Sequence, residues 1–106
     1  MKVVIIGGTG HVGTFLTPRL VMAEHEVVVI SRQKREPYIL HPAWSSVKQV
    51  VIDRKVSEEM GTFGDQILGM DPDVVIDMIC YTPESAVHLV EKLRGNVKHL
   101  ITCGTI

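Results

Sequence analysis

The stretch that decides the fold is Lys2-Val3-Val4-Ile5-Ile6-Gly7-Gly8-Thr9-Gly10-His11-Val12-Gly13. A run of β-branched residues passes directly into a glycine loop. A helix-like pattern follows from His11 to Glu24, with Val12, Phe15, Leu16, Leu20 and Ala23 close to a 3.6-residue period and Pro18 as its one interior breaker. The glycines satisfy G-x-G-x-x-G through Gly8, Gly10 and Gly13, and G-x-x-G-x-x-G through Gly7, Gly10 and Gly13. Glycine is needed there for three reasons. The strand must turn sharply, a pyrophosphate must approach the backbone without a Cβ in the way, and the helix must pack tightly on the sheet. The backbone N–H groups of the first helical turn then face phosphate oxygens. Gly7, Gly10, His11, Val12 and Gly13 are therefore candidate phosphate-binding residues, although a bare strand-to-helix turn has the same glycines and His11 suits a solvent-facing position equally well. A P-loop is excluded, because no Lys-Ser/Thr pair follows the glycines.

Outward from this loop, Val27 to Ile30 and Val74 to Ile79 repeat the pattern of a strand buried on both faces, and Val47 to Ile52 and Val97 to Cys103 are weaker versions of it. Gln33 to Ser46, with Pro37 and Pro42, reads as irregular apart from a single helical turn. Ser57 to Met70 predicts a helix despite Gly61 and Gly64. Pro83 to Arg94 predicts a better one, with Thr82 as cap, Pro83 at the first helical position and Gly95 at its end. Its inward stripe is expected to be Ala86, Val87, Leu89, Val90 and Leu93. Strands alternating with helices imply right-handed crossovers and a parallel sheet covered on both faces. The prediction is an α/β, Rossmann-like, doubly wound sheet of about five strands in the order 3-2-1-4-5, forming one dinucleotide-binding domain over residues 1–106. A two-halved dinucleotide-binding fold has more strands than this, so the chain reads as the N-terminal part of a longer protein.

Composition narrows the partners. The 106 residues carry 11 basic and 12 acidic side chains, a formal net charge of −1, which argues against a nucleic-acid groove or an anionic membrane surface. Aromatic residues make up 5% of the chain, too few for base-stacking platforms. No apolar run approaches the ~20 residues of a membrane span, and the N-terminus lacks a signal-peptide layout. Two cysteines make no disulfide framework, so a reducing cytoplasm is the expected compartment. An open fifth strand would favour self-association.

The end of the second strand bears on cofactor choice. An NAD reader is an Asp or Glu about 20 residues beyond the glycines. The sequence there is Ile30-Ser31-Arg32. Arg32, with Lys34 and Arg35 nearby, suits an adenosine 2′-phosphate, and the expectation is NADP with NAD possible; otherwise Arg32 is a solvated surface charge.

These residues resemble the N-terminal portion of the extended short-chain dehydrogenase/reductases, the NAD-dependent epimerase/dehydratases of nucleotide sugars. The resemblance rests on Gly7 to Gly13 and continues through Val50-Val51-Ile52-Asp53-Arg54, Asp73-Val74-Val75-Ile76-Asp77 and His99-Leu100-Ile101-Thr102-Cys103-Gly104-Thr105. It implies that Asp53 meets the adenine amino group, that Cys80 lies beside the cofactor, and that Thr105 hydrogen-bonds the reacting oxygen of a substrate. The chain departs from the family at Met78-Ile79-Cys80-Tyr81, where small residues are usual. It also lacks the family's Tyr-x-x-x-Lys acid–base pair, since Pro42 stands four residues after Tyr38 and Ser85 four after Tyr81. Two functions follow as expectations. One is the cofactor-binding portion of an epimerase/dehydratase-like oxidoreductase, inactive alone, whose small-molecule substrate binds through a region beyond residue 106. The other is a non-catalytic NADP-binding sensor or regulatory module.

The remaining candidates carry less. The five histidines have no zinc-like spacing. Cys80 and Cys103 at strand ends read more readily as small apolar residues than as reactive thiols. Trp44 reads as a packing anchor. Asp77, inside an apolar strand, is either a structural hydrogen-bond partner or a site residue, and its sequence context favours neither.

Overall fold

Each β-branched run becomes a strand of one parallel sheet, because such residues fill a pleated surface on both sides when both are covered. A computed structural model describes residues 1–7, 11–31, 42–78 and 83–102. The order of elements is β1 (Lys2–Ile6), α1 (His11–Met22), β2 (Glu26–Ser31), a 3-10 turn (Pro42–Ser46), β3 (Lys48–Val51), α2 (Arg54–Glu59), α3 (Phe63–Leu68), β4 (Val74–Asp77), α4 (Pro83–Leu93) and β5 (His99–Thr102). The five strands lie in the order β3-β2-β1-β4-β5, as the sequence predicts. All four pairings are parallel, with Ile6 opposite both Ile30 and Asp77, Ser31 opposite Val51, and Asp77 opposite Thr102.

The period-2 alternation of β1 and β2 sorts the core into two halves. Val3, Ile5, Val27 and Val29 face α1 and Trp44, meeting Leu16, Leu20 and Val21. Val4, Ile6, Val28, Ile30 and Val75 face the other way, against Phe63 and Ile67 of α3 and Leu89 and Leu93 of α4. Trp44 is 9% exposed and anchors its face, as expected. The helix over α1 runs through Pro18 without ending there. It stops where Glu24 takes a left-handed φ of 67°. The N–H of Glu24 bonds to the carbonyl of Val21 at 3.0 Å and that of His25 to Leu20 at 3.1 Å, a Schellman closure built on a glutamate.

Three expectations need correction. Ser57 to Met70 is two helices, not one. Gly61 has φ +73°, and the N–H groups of Gly61 and Thr62 close back on Glu58 and Ser57 at 3.0 and 2.9 Å. The left-handed glycine therefore terminates α2, and α3 starts afresh two residues later. The stripe of α4 is also narrower than its apolar residues suggest, since Val87 and Val90 are 54% and 47% exposed while Leu89 and Leu93 are buried. The reason lies in α3, which approaches α4 along Gly64: a Cβ there would lie 2.5 Å from Cβ of Lys92. That close approach turns the Leu89–Leu93 edge inward and leaves the two valines outside. Finally, β5 begins at His99, two residues later than its apolar run, because the N–H groups of Lys98 and His99 both turn to the carbonyl of Asp73. Thr82 and Cys103 lie outside the described residues.

Candidate functional site

Every strand exit lies at one edge of a parallel sheet, here the carboxyl edge of β1 to β5. At the carboxyl end of β1, Gly7 adopts φ +84° and donates its N–H to the carbonyl of Ile30 at 2.7 Å. That conformation is cheap for glycine and costs an L-residue roughly 1–2 kcal/mol. β1 thus ends at a glycine in the left-handed region, and α1 begins four residues later at His11. His11, Val12 and Gly13 form the first turn of α1, whose N–H groups have no carbonyl within the helix to bond. The sequence of that turn contains no acidic residue. The strand order also reverses here, since β2 follows β1 on one side and β4 lies on the other. In open α/β sheets that switch point is where the ligand crevice forms.

Further exits frame the crevice. Ile52 donates to the carbonyl of Ser31 at 3.0 Å and Met78 to that of Ile6 at 3.0 Å, fixing the ends of β3 and β4 to their neighbours. Asp53 sits exposed at the end of β3, where the sequence places it. It caps α2, with its Oδ1 accepting from the N–H of Val56 at 3.3 Å. Gly7 and Asp53 are thereby brought to the same edge as the first turn of α1. Gly10, Arg32, Cys80 and Thr105 lie outside the described residues.

The structure adds an arrangement that sequence reasoning missed. Asp77, the last residue of β4, is 1% exposed. Its two oxygens accept from Nη1 and Nη2 of Arg54 at 2.7 and 2.8 Å, a bidentate pair. Arg54 also lies over the Phe63 ring, 5.1 Å from its centroid, and its Nε stands 3.5 Å from Oε1 of Glu58. The hydroxyl of Ser85, in the first turn of α4, donates to that same Glu58 oxygen at 2.8 Å. Asp77 is thus an ion-pair partner within the fold, the structural role that its sequence context left open. One signal was legible: a carboxylate inside an apolar strand needs a hydrogen-bonding or charged partner. Which partner was not legible, because Arg54 lies 23 residues away on another element.

Among the described residues no group of three His, Cys, Asp or Glu could hold a metal ion. No helix among them is long and apolar enough to cross a membrane.

No protein-family model matches the chain, and no curated protein matches it in sequence. Its fold is nevertheless shared with solved structures. A UDP-galactose 4-epimerase superimposes with a TM-score of 0.68 at 22% identity, over 96% of this chain and 37% of its own. The UDP-glucose 4-epimerase of Bifidobacterium longum, solved with NAD+ and UDP, gives 0.68 at 18% identity, over 96% and 36%. The enzyme WbmH of Bordetella bronchiseptica, solved with NAD+, gives 0.64 at 19% identity, over 90% and 35%. The chain therefore has the Rossmann-like fold found in part of these epimerases, and it spans little more than a third of their length.

Proposed function

We propose that this chain is the dinucleotide-binding portion of an epimerase/dehydratase-like oxidoreductase of the extended short-chain dehydrogenase/reductase family. The observation that carries the reading is the left-handed φ of Gly7 at the carboxyl end of β1, the switch point of the sheet, with the first turn of α1 four residues on. The crystallised complexes of WbmH and the Bifidobacterium epimerase with NAD+ support a nicotinamide dinucleotide as the ligand. In this reading Gly7, Gly10, His11, Val12 and Gly13 hold the pyrophosphate, Asp53 meets the adenine amino group, and Cys80 lies beside the cofactor. Arg32 takes a 2′-phosphate, so NADP(H) is preferred over NAD(H). The bound nicotinamide supplies a site that accepts and returns a hydride. Thr105 holds the reacting oxygen of a small-molecule substrate whose other contacts come from outside these 106 residues. We place the protein in the cytoplasm, with neither nucleic acid nor membrane as a partner.

The Tyr-x-x-x-Lys pair is absent from the sequence. General acid–base assistance typically contributes 10²–10⁴-fold, so the chain alone should turn over no substrate. A second reading is a non-catalytic NADP-binding sensor, which Tyr-x-x-x-Lys elsewhere in a longer protein would argue against. Assaying the chain inside any longer parent protein, with nicotinamide cofactor and a panel of nucleotide sugars, separates the two: turnover supports the enzyme, and binding without turnover supports the sensor.

The direct test is calorimetric titration of the chain with NADP and NAD. Gly10→Val should abolish binding while leaving the circular dichroism spectrum unchanged. Arg32→Ala should remove most of a roughly tenfold to hundredfold preference for NADP, the worth of one charge-assisted pair. A folded Gly10→Val protein with full affinity overturns the assignment, and equal affinities of the unmutated chain for NAD and NADP overturn the cofactor preference.

A further inference from the structure

We propose that Arg54 and Asp77 are a positioning pair that fixes the separation of the two halves of the dinucleotide site; this rests on the dinucleotide reading above. A dinucleotide bound at a switch point spans strands on both sides of β1, with its adenosine half toward β2 and β3 and its nicotinamide half toward β4 and β5. Among the described residues, backbone hydrogen bonds at the carboxyl edge join each exit to its sheet neighbour: Ile52 to Ser31, Gly7 to Ile30, Met78 to Ile6. Strands β3 and β4 are not neighbours, since β2 and β1 lie between them. Their exits are thus about 14 Å apart at the usual strand spacing. The Arg54–Asp77 pair bridges that gap directly. Arg54 follows Asp53, the adenine-side candidate, and Asp77 precedes Met78 and the run toward Cys80.

Stability alone is a poor explanation for this device. A buried ion pair loses much of its Coulombic gain to desolvation, and apolar residues of similar size often serve as well. What a bidentate fork provides instead is a defined direction and distance. Both ends are further constrained here. The guanidinium is held by the Phe63 ring and Glu58, and Glu58 in turn by Ser85 at the start of α4. The pair therefore holds the adenine-side exit, the β4 exit and the first turn of α4 as one unit, preorganising a surface that an extended ligand must match at both ends.

The test compares a ligand that spans both halves with one that occupies a single half. The double variant Arg54→Met/Asp77→Leu removes both charges, so neither is left buried alone. Binding of NADP and of 2′,5′-ADP, which carries only the adenosine half, is measured by calorimetry after circular dichroism has confirmed the fold. NADP should bind about tenfold more weakly, equivalent to about 1.4 kcal/mol, while 2′,5′-ADP changes less than about twofold. Arg54→Lys, which keeps the charge but loses the fork, should show the same split to a smaller degree and serves if the double variant does not fold. Equal weakening of both ligands, the signature of a generally loosened protein, overturns the proposal, as does no change in either. An unmutated chain that binds neither NADP nor NAD overturns the dinucleotide reading itself, a distinguishable failure.

Discussion

Substituting Gly64 by alanine tests the account of how α3 and α4 meet. An ideal Cβ at this position lies 2.5 Å from both Cβ and Cγ of Lys92, and 3.3 Å from Nε2 of His88. Carbon atoms rest at about 3.5–4.0 Å, so the helices must separate by roughly 1 Å or more. The first atom met is a Cβ fixed to the backbone, which no rotamer change can move aside. Overpacking of this kind costs about 1–3 kcal/mol. The same separation stretches the bond from the Gly64 N–H to Nε2 of His88, now 2.9 Å long, which is worth about 1 kcal/mol. Against these stands the helical preference of alanine over glycine, about 1 kcal/mol. The net expectation is a loss of about 1–3 kcal/mol. Urea denaturation followed by circular dichroism reads it as a lower midpoint at an unchanged slope. Two neighbouring glycines act as controls. Gly69 has φ −62° and only ordinary contacts from 3.4 Å, so Gly69→Ala should be neutral or stabilising by up to about 1 kcal/mol. Gly61 has open space but φ +73°, so Gly61→Ala should lose about 1–2 kcal/mol through strain alone. A Gly64→Ala protein as stable as the unmutated one would refute the packing argument.

Three other expectations concern sites away from the crevice. At the amino edge of the sheet, Asp73 accepts the N–H of Lys2 at 2.9 Å, and that bond, aided by Lys98 3.9 Å away, holds its carboxyl below the ordinary 3.8. A depressed carboxylate stabilises the fold above its unfolded-state value and stops doing so as pH falls through its folded-state value; urea midpoints should therefore drop between about pH 5 and pH 2, and Asp73→Asn should flatten that slope. Glu24 is exposed and left-handed at the end of α1, so Glu24→Gly should raise stability by about 0.5–1 kcal/mol, visible in thermal melts; a destabilised variant would contradict the closure described for α1. Ile101 on β5 is 48% exposed, and self-association of the chain through this strand is expected in sedimentation equilibrium. A monomer across a hundredfold range of concentration, or an unchanged dimer in Ile101→Lys, would count against it.

What the sequence determined by itself was the local and the periodic. Runs of β-branched residues marked five strands, and the glycine loop fixed where β1 ends and α1 begins. Backbone chirality makes the parallel crossovers right-handed, and the glycine loop after β1 pointed to a doubly wound order of 3-2-1-4-5, which the sheet adopts. Pro83 at the start of α4 was likewise placed by chain position alone, and Asp53 at the exit of β3 by the family resemblance. Tertiary structure decided whatever depends on a neighbour remote in sequence. Gly61 could have been tolerated inside a helix, and its left-handed closure appears only when α3 must turn to pack on the sheet. The valines at 87 and 90 have the right period for a core stripe, but the approach of Gly64 to Lys92 set the rotation of α4 and left them exposed. Asp77 stood out in the sequence as a carboxylate inside an apolar strand, with its partner unnamed. Only the fold carries Arg54 from the start of α2 across two intervening strands to meet it, because apolar periodicity encodes which faces are buried and not which charges meet there.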